Sequence, residues 1–550
     1  MIEALTQGWH GLALSFAAVQ GPMIAGLWRA RASLHQFLLS PVVAVPLAAA
    51  VGIGAEAMSP LLDGLAPGGA LTFALGMGAS AAAGFRGGKW MGRGGSEERT
   101  YRRGSLVEDR IPDVAPAASI ARDRVRWAGR SVPLQDETKH FKMIGTTGTG
   151  KSTAIQELLL GALSRGDRAV IADPDGGYLA RFHDGSRSDV VLNPFEAGSA
   201  RWDLFAEIRA PYDVEQLARA LIPDQDGSER SWRGYARTFF SAVTRQAHAA
   251  GVRDTAELYR LLVVAEPPEL RTLVRGTPAQ PFLEEHNSRM FDSIRSVTSS
   301  AVAALDPVAR QSGPGFSVRD WIDRTPSGVL FIPYSANQIP SLRSMISGWM
   351  RLAIFQSMDH ELNSPAAPPR PTWFVVDELD ALGPIDGLKD ALARVRKFDG
   401  RCVLGFQSLA QVSSTYGAGD AHTIVENCGN TLILRCSSSE GGGTARFASQ
   451  LIGEREVVRT SISHSRRPTE WLSSISRSQQ VSIEQAVLPA QIEQLPDLEG
   501  YLKHASDPGW QRVRLDARRV WERQRPAAAA PGEPKAASPK PRAASREHES

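Results

Sequence analysis

The sequence has almost no cysteine: Cys402, Cys428 and Cys436 are the 3 in 550 residues. No CxxC pair or His/Cys cluster surrounds them. That argues against a disulfide framework and a thiolate zinc site, and fits a reducing compartment. Net charge is nearly absent too, +3 from 62 basic and 59 acidic side chains. The chain is therefore not basic or acidic throughout, and local patches decide what it attracts. With 42% hydrophobic and 22% charged residues it is neither disordered nor a polytopic membrane protein. Its length carries a prior of about three domains.

Charge is scarcest in residues 1–86. Phe37–Val51 has none, and the apolar stretch runs on to Met58 with only Glu56 inside it. Gly64–Phe85 is a second uncharged stretch. Each approaches the ~20 residues that cross ~30 Å of hydrocarbon. Arg29 and Arg31 precede the first, Arg86, Lys89 and Arg93 follow the second, and the link holds Glu56 and Asp63. This pattern predicts two transmembrane helices with both ends cytoplasmic. A pair of buried Ala/Gly-rich helices in a soluble domain is the alternative. Residues 1–28 read as an interfacial helix or a third span. They lack a basic n-region, which argues against a cleaved signal peptide. Residues 87–140 hold a basic juxtamembrane segment and the start of the next domain. Arg86–Arg130 carries eleven bases and six acids, suited to anionic lipid ahead of DNA.

From Phe141 the pattern turns to strand, glycine loop, helix. Gly145-Thr146-Thr147-Gly148-Thr149-Gly150-Lys151-Ser152 fits GxxxxGK[ST] (Walker A), between the apolar run Phe141–Ile144 and an amphipathic stretch, Thr153–Leu163. Its glycines let successive N–H groups face a phosphate, and the following helix aims its positive end there. Lys151 can reach β- and γ-phosphates, and Ser152 can offer a hydroxyl to Mg²⁺. A second strand, Arg168–Ala172, ends in Asp173-Pro-Asp175-Gly-Gly, which serves either the nucleotide crevice or an ordinary turn. Residues 203–310 lack strand alternation and read as an all-α insertion. Trp373-Phe-Val-Val-Asp377-Glu378 then forms a buried strand with an acidic tip (Walker B). Asp377 suits Mg²⁺, and Glu378 suits polarising the attacking water. Strand Cys402–Phe406 ends in Gln407, whose amide can sense the γ-phosphate or that water; capping the strand is its plainer role. Arg396 and Arg435 both qualify as an arginine finger. Residues 311–523 complete the domain begun at 141–202. Residues 524–550 are Pro/Ala-rich without aromatics, a composition of disorder.

The order of these features resembles the type IV secretion coupling proteins, the TraD-type ATPases of conjugative DNA transfer. Met143–Thr153, Ile171–Tyr178, Val191–Trp202, Phe374–Leu382, Val403–Gln411, Asn427–Arg435 and Val487–Leu502 carry the likeness, over two thirds of the chain. The Asn193-Pro-Phe…Trp202 and Leu495-Pro-Asp497 stretches are its more specific parts. The resemblance implies an α/β fold: a RecA-like P-loop nucleotide-binding domain with an all-α insertion domain and N-terminal transmembrane helices. It implies ATP and Mg²⁺ held by Gly145–Thr153 and Asp377, with Lys151, Glu378, Gln407 and, from a neighbouring subunit, Arg396 as catalytic residues. It further implies a homo-hexamer in the bacterial inner membrane, catalytic domain cytoplasmic. Its partners would be single-stranded DNA, the relaxase of the relaxosome and the type IV secretion channel proteins. An FtsK-like double-stranded DNA translocase and a non-motor receptor with a regulatory ATP site are the rival functions.

Overall fold

The computed structural model describes residues 2–30, 32, 34–62, 70–92, 98–111, 124–224, 229–363, 370–438, 442–465 and 474–517. The expected tail 524–550 and, beside the expected membrane spans, Arg31, Asp63 and Arg93 lie outside them. The chain folds as two compact units, Met1–Gly104 with Glu454–Glu484 and Ser105–Gly453 with Gln485–Ser550.

The first unit begins with three helices, α1 (Ile2–Arg29), α2 (Leu34–Leu62) and α3 (Ala70–Gly92). Helices α1 and α3 approach very closely. A Cβ on Gly84 would lie 2.1 Å from the Val19 carbonyl oxygen, and one on Gly88 2.1 Å from that of Met23. Only glycine permits this contact, and its four-residue repeat keeps both on one helix face. Val19, Met23 and Leu27 pack with Ala44 and Ala48 beside it. Gln20 Nε2 donates to Ser40 Oγ at 2.7 Å, joining α1 to α2. Leu34, Leu38, Val42 and Val45 of α2 are exposed. Among the described residues no helix is long and apolar enough to cross a membrane. Side chains of α2 are described only to Ala50. The strand Glu98–Gly104 pairs antiparallel with Glu454–Ser465, which neighbours Ser474–Gln485. Residues Glu454–Glu484 of this hairpin cluster with residues 1–104.

The second unit is built on a sheet that has ten strands among the described residues. In chain order they are β1 (Val107–Glu108), β2 (Phe141–Ile144), β3 (Arg168–Pro174), β4 (Val190–Val191), β5 (Gly328–Tyr334), β6 (Thr372–Val376), β7 (Gly400–Phe406), β8 (Asn430–Ile433), β9 (Glu499–Lys503) and β10 (Trp510–Arg514). Their spatial order is β1-β10-β9-β8-β2-β7-β6-β3-β5-β4. From β8 to β4 all are parallel, while β9 opposes β8 and β10 opposes β9. The expected α/β frame is present, and its sheet is mixed.

Both faces of this sheet are covered, which is why its strands read as continuous apolar runs. Val170, Ala172, Phe374, Val376 and Leu404 face one core cluster. Ala169, Ile171, Trp373, Val375 and Val403 alternate to the other. The first cluster also takes Leu217, Phe239, Phe240 and Phe291. These belong to the helices Asp213–Leu221, Arg230–Ala249 and Ser288–Ala301. The helical stretch therefore shares its core with the sheet. Trp202 meets Trp349 edge-on at 5.7 Å.

The amino ends of the strands are tied by buried polar groups. Arg165 and Arg401 both pair with Glu137, and Trp373 Nε1 donates to Asp167. His140 joins three elements: its Nδ1 accepts from the Cys402 N–H, so its Nε2 donates to the Leu392 carbonyl. Burial depresses this imidazole from 6.5 to about 4, and Arg396 and Arg401 add repulsion. A depressed histidine stabilises the fold above pH 6.5 and loses that contribution as pH falls through about 4. The gap corresponds to roughly 3 kcal/mol. Thermal midpoints of the full chain should therefore fall between pH 6.5 and 4, and His140→Gln should flatten that part of the profile.

Candidate functional site

Five parallel strands deliver their carboxyl ends to one crevice, where such sheets bind ligands. The Gly145–Ser152 loop follows β2, Asp173 lies near the end of β3, Asp377 follows β6, Gln407 follows β7 and Arg435 follows β8. Strand β7 separates β2 from β6 in the sheet.

The loop and the acidic strand tip nonetheless meet. Ser152 Oγ donates to Asp377 Oδ2 at 2.6 Å. The hydroxyl of Tyr178, on the short helix α5 (Gly177–Phe182), which follows α4 (Lys151–Ser164) in the chain, donates to the same oxygen at 2.8 Å. Gln407 Nε2 donates to Glu378 Oε1. Lys151 folds back over its own loop, donating to the carbonyls of Gly145 (2.7 Å) and Thr146 (3.2 Å). Lys151 and Asp377 are buried, Glu378 and Gln407 are half-buried, and Thr147, Gly148 and Ser152 are open to solvent. Thr153 is half-buried in the first turn of the helix Lys151–Ser164.

The charges respond to this burial. Lys151 is pushed below its ordinary value by desolvation, against the pull of Asp377 and Glu378. Burial raises Glu378, Asp380 reinforces it, and the Gln407 amide opposes it. Burial also lifts Asp173 to about 6, although it accepts the N–H groups of Tyr178 and Leu179. Asp173 thus holds the start of α5, a turn role close to the crevice.

The loop is held from several sides. The Thr146 N–H donates to the Arg435 carbonyl at 2.9 Å, and the Leu498 N–H donates to the Thr149 carbonyl at 3.0 Å. Leu498 has φ +64, unusual for a branched side chain, and its carbonyl accepts from the Leu515 N–H. Nothing in the motif pattern pointed to Tyr178 or Leu498. The two stretches singled out for specificity have structural work. Asn193 Nδ2 donates to the Pro333 carbonyl, and Trp202 Nε1 to buried Glu207. The Leu495-Pro-Asp497 stretch leads into the Leu498 clamp.

The two arginines separate. Arg435 lies at the rim of its own loop, paired with Asp497 at 2.6 Å. Arg396 is exposed in the turn Arg396–Phe398, before the amino end of β7. That is the opposite edge of the sheet from Gln407, about 20 Å along a seven-residue strand. The fold of one chain does not bring Arg396 to the crevice.

Chemically, the glycine loop can cradle a phosphate, and Lys151 can leave its carbonyls for phosphate oxygens. The Ser152 and Asp377 oxygens form a hard donor pair fit for a small divalent cation. Glu378, held by the Gln407 amide, can accept a proton. Gly148 (φ +79) and Gly150 (φ +115) are both left-handed, but only at Gly150 would a Cβ collide, with Leu515 and Leu498 side chains 2.8 and 2.9 Å away. Gly148→Ala should cost about 1–2 kcal/mol, and Gly150→Ala about 1–3 kcal/mol more, as read from denaturant unfolding.

The chain is similar to known proteins. The family model for the type IV secretion-system coupling protein DNA-binding domain matches residues 124–516. The coupling protein TraD of Escherichia coli (strain K12) is 30% identical over 426 residues, 75% of this chain and 58% of TraD. A conjugal transfer protein TraG of Escherichia coli is 24% identical over 413 residues, 67% of this chain and 64% of that protein. The chain thus spans less than two thirds of the curated relatives it matches. The plasmid coupling protein TrwB in complex with ADP and Mg²⁺ is similar at 30% identity and TM-score 0.65, over 77% of this chain and 96% of that one. TrwB with the non-hydrolysable ATP analogue ADPNP is similar at 29% and 0.64, over 76% and 95%. A match from residue 124 to residue 516, through the crevice and the helical stretch, leaves one assignment: the chain belongs to the family of type IV secretion-system coupling proteins.

Proposed function

We propose that this protein is a RecA-like ATPase that couples relaxase-bound DNA to a type IV secretion channel and pumps single-stranded DNA during conjugation. One observation carries the reading: Ser152 Oγ lies 2.6 Å from Asp377 Oδ2, although 225 positions separate them in sequence. TrwB, solved with ADP and Mg²⁺ and with an ATP analogue, supports the choice of nucleotide and metal.

Gly145–Thr153 bind the triphosphate. Lys151 moves from the Gly145 and Thr146 carbonyls to the γ-phosphate. Ser152 and Asp377 hold Mg²⁺, which when bound neutralises phosphate charge and orients the leaving group. Glu378, its carboxyl raised by burial, takes a proton from the attacking water. Gln407 keeps Glu378 in line and releases it when the γ-phosphate departs. Arg396 is exposed and far from its own crevice, so it completes the site of the neighbouring subunit in a hexamer. Hydrolysis then depends on assembly, and the strand is gripped through its backbone charge.

We read α2 and α3 as spanning the bacterial inner membrane, with the catalytic unit cytoplasmic. The exposed Leu34, Leu38, Val42 and Val45 support this, because water-facing helices rarely show such a surface. The Gly84–Gly88 contact is of the type that joins helices in lipid.

Lys151→Ala should reduce ATP turnover about 100- to 1,000-fold and abolish DNA transfer while the protein stays in the membrane fraction. Normal transfer by that variant would end the motor reading. Arg396→Ala should lose turnover with ATP affinity kept; equal loss of both would make it structural. Single-stranded DNA should stimulate the ATPase more than duplex. Stronger stimulation by duplex would favour a double-stranded DNA translocase, and no response to either a receptor with a regulatory site.

A further inference from the structure

The Asp377 oxygen that faces Ser152 has a second donor that no phosphate-binding motif includes. Tyr178 is 2% exposed, packed in the core cluster with Ile155, Ile171 and Phe331. Its hydroxyl donates to Asp377 Oδ2 at 2.8 Å, the oxygen that also accepts from Ser152 Oγ at 2.6 Å. Three oxygens from three elements converge there. The backbone of Tyr178 is fixed as well, its N–H donating to buried Asp173 at 3.0 Å. A phenol so placed has one proton to give, and it gives it to the carboxylate.

We propose that Tyr178 is a positioning residue for the divalent cation, its hydroxyl locking the Asp377 carboxylate in the orientation the cation meets. The inference rests on the ATPase reading above and deepens it. When Ser152 turns its oxygen toward a cation, its hydroxyl proton alone does not fix the carboxylate plane, since both groups can swing. Tyr178 cannot swing, because its ring is packed in the core and its backbone is tied to Asp173. It thereby limits Asp377 to one rotamer and leaves a lone pair of Oδ2 for the metal or its water. Phenylalanine fills the same space without the donor, so the substitution removes the lock and keeps the packing.

The test is Mn²⁺ binding to the full chain in the presence of ADP, followed by electron paramagnetic resonance, with metal-free ATP affinity measured in chelator. Tyr178→Phe should weaken ADP-dependent Mn²⁺ binding about tenfold, the scale of a hydrogen bond to a charged group, and leave metal-free ATP affinity within about twofold. Unchanged Mn²⁺ affinity in the variant overturns the proposal while the ATPase reading stands. Equal losses of Mn²⁺ and metal-free ATP binding overturn it too, because they mark a structural role. Failure of the unaltered protein to bind Mn²⁺ with ADP would overturn the ATPase reading itself.

Discussion

The function proposed for this molecule depends on two oxygens, on Ser152 and Asp377, being brought together by strands that do not touch. Strand β7 lies between β2 and β6, and that spacing opens the crevice. The intervening strand also sets Gln407 beside Glu378. A sheet whose β2 and β6 were direct neighbours would leave no place for that amide. The topology thus sets the glycine loop, the Ser152–Asp377 pair and the Glu378–Gln407 pair around one crevice.

The two edges of the sheet have different tasks. At the amino ends, charged and aromatic groups are mutually satisfied: Glu137 with Arg165 and Arg401, Asp167 with Trp373, His140 with Cys402 and Leu392. Such saturation rigidifies. At the carboxyl ends the groups are held but left with spare capacity. Lys151 sits on carbonyls it can leave, Ser152 is exposed, and Gln407 and Glu378 bind only each other among the described residues. A rigid base and a responsive crevice suit a site that must reset after each turnover.

The cradle, the acidic strand tip and Gln407 were legible in the sequence, because each is a local pattern at the end of an apolar strand. The α/β frame was legible for the same reason. Tyr178 was hidden, since its task depends on how α5 packs beside β3 and β5 and so meets Asp377, 199 positions away in sequence. Leu498 was hidden because it works through its backbone N–H, which no side-chain pattern encodes. Asp173 read equally as turn or crevice, and it does serve the turn, at the crevice. That residues Glu454–Glu484 cluster with residues 1–104 depends on strand pairing across about 350 positions, which no local pattern encodes. Helix α1 was ambiguous because glycine lowers its hydropathy, and at Gly26 a Cβ would crowd the Phe85 carbonyl of α3. Arg396 was singled out by resemblance, and no single-chain pattern could place it at a second subunit's nucleotide.

The central claim is that Ser152 and Asp377 act on one metal–nucleotide complex. A double-mutant cycle on Mg²⁺·ADP affinity, with Ser152→Ala and Asp377→Asn singly and together, tests it most directly. The account predicts strong non-additivity, the double variant binding little worse than the weaker single one. Losses that multiply, as for independent distant residues, would contradict it.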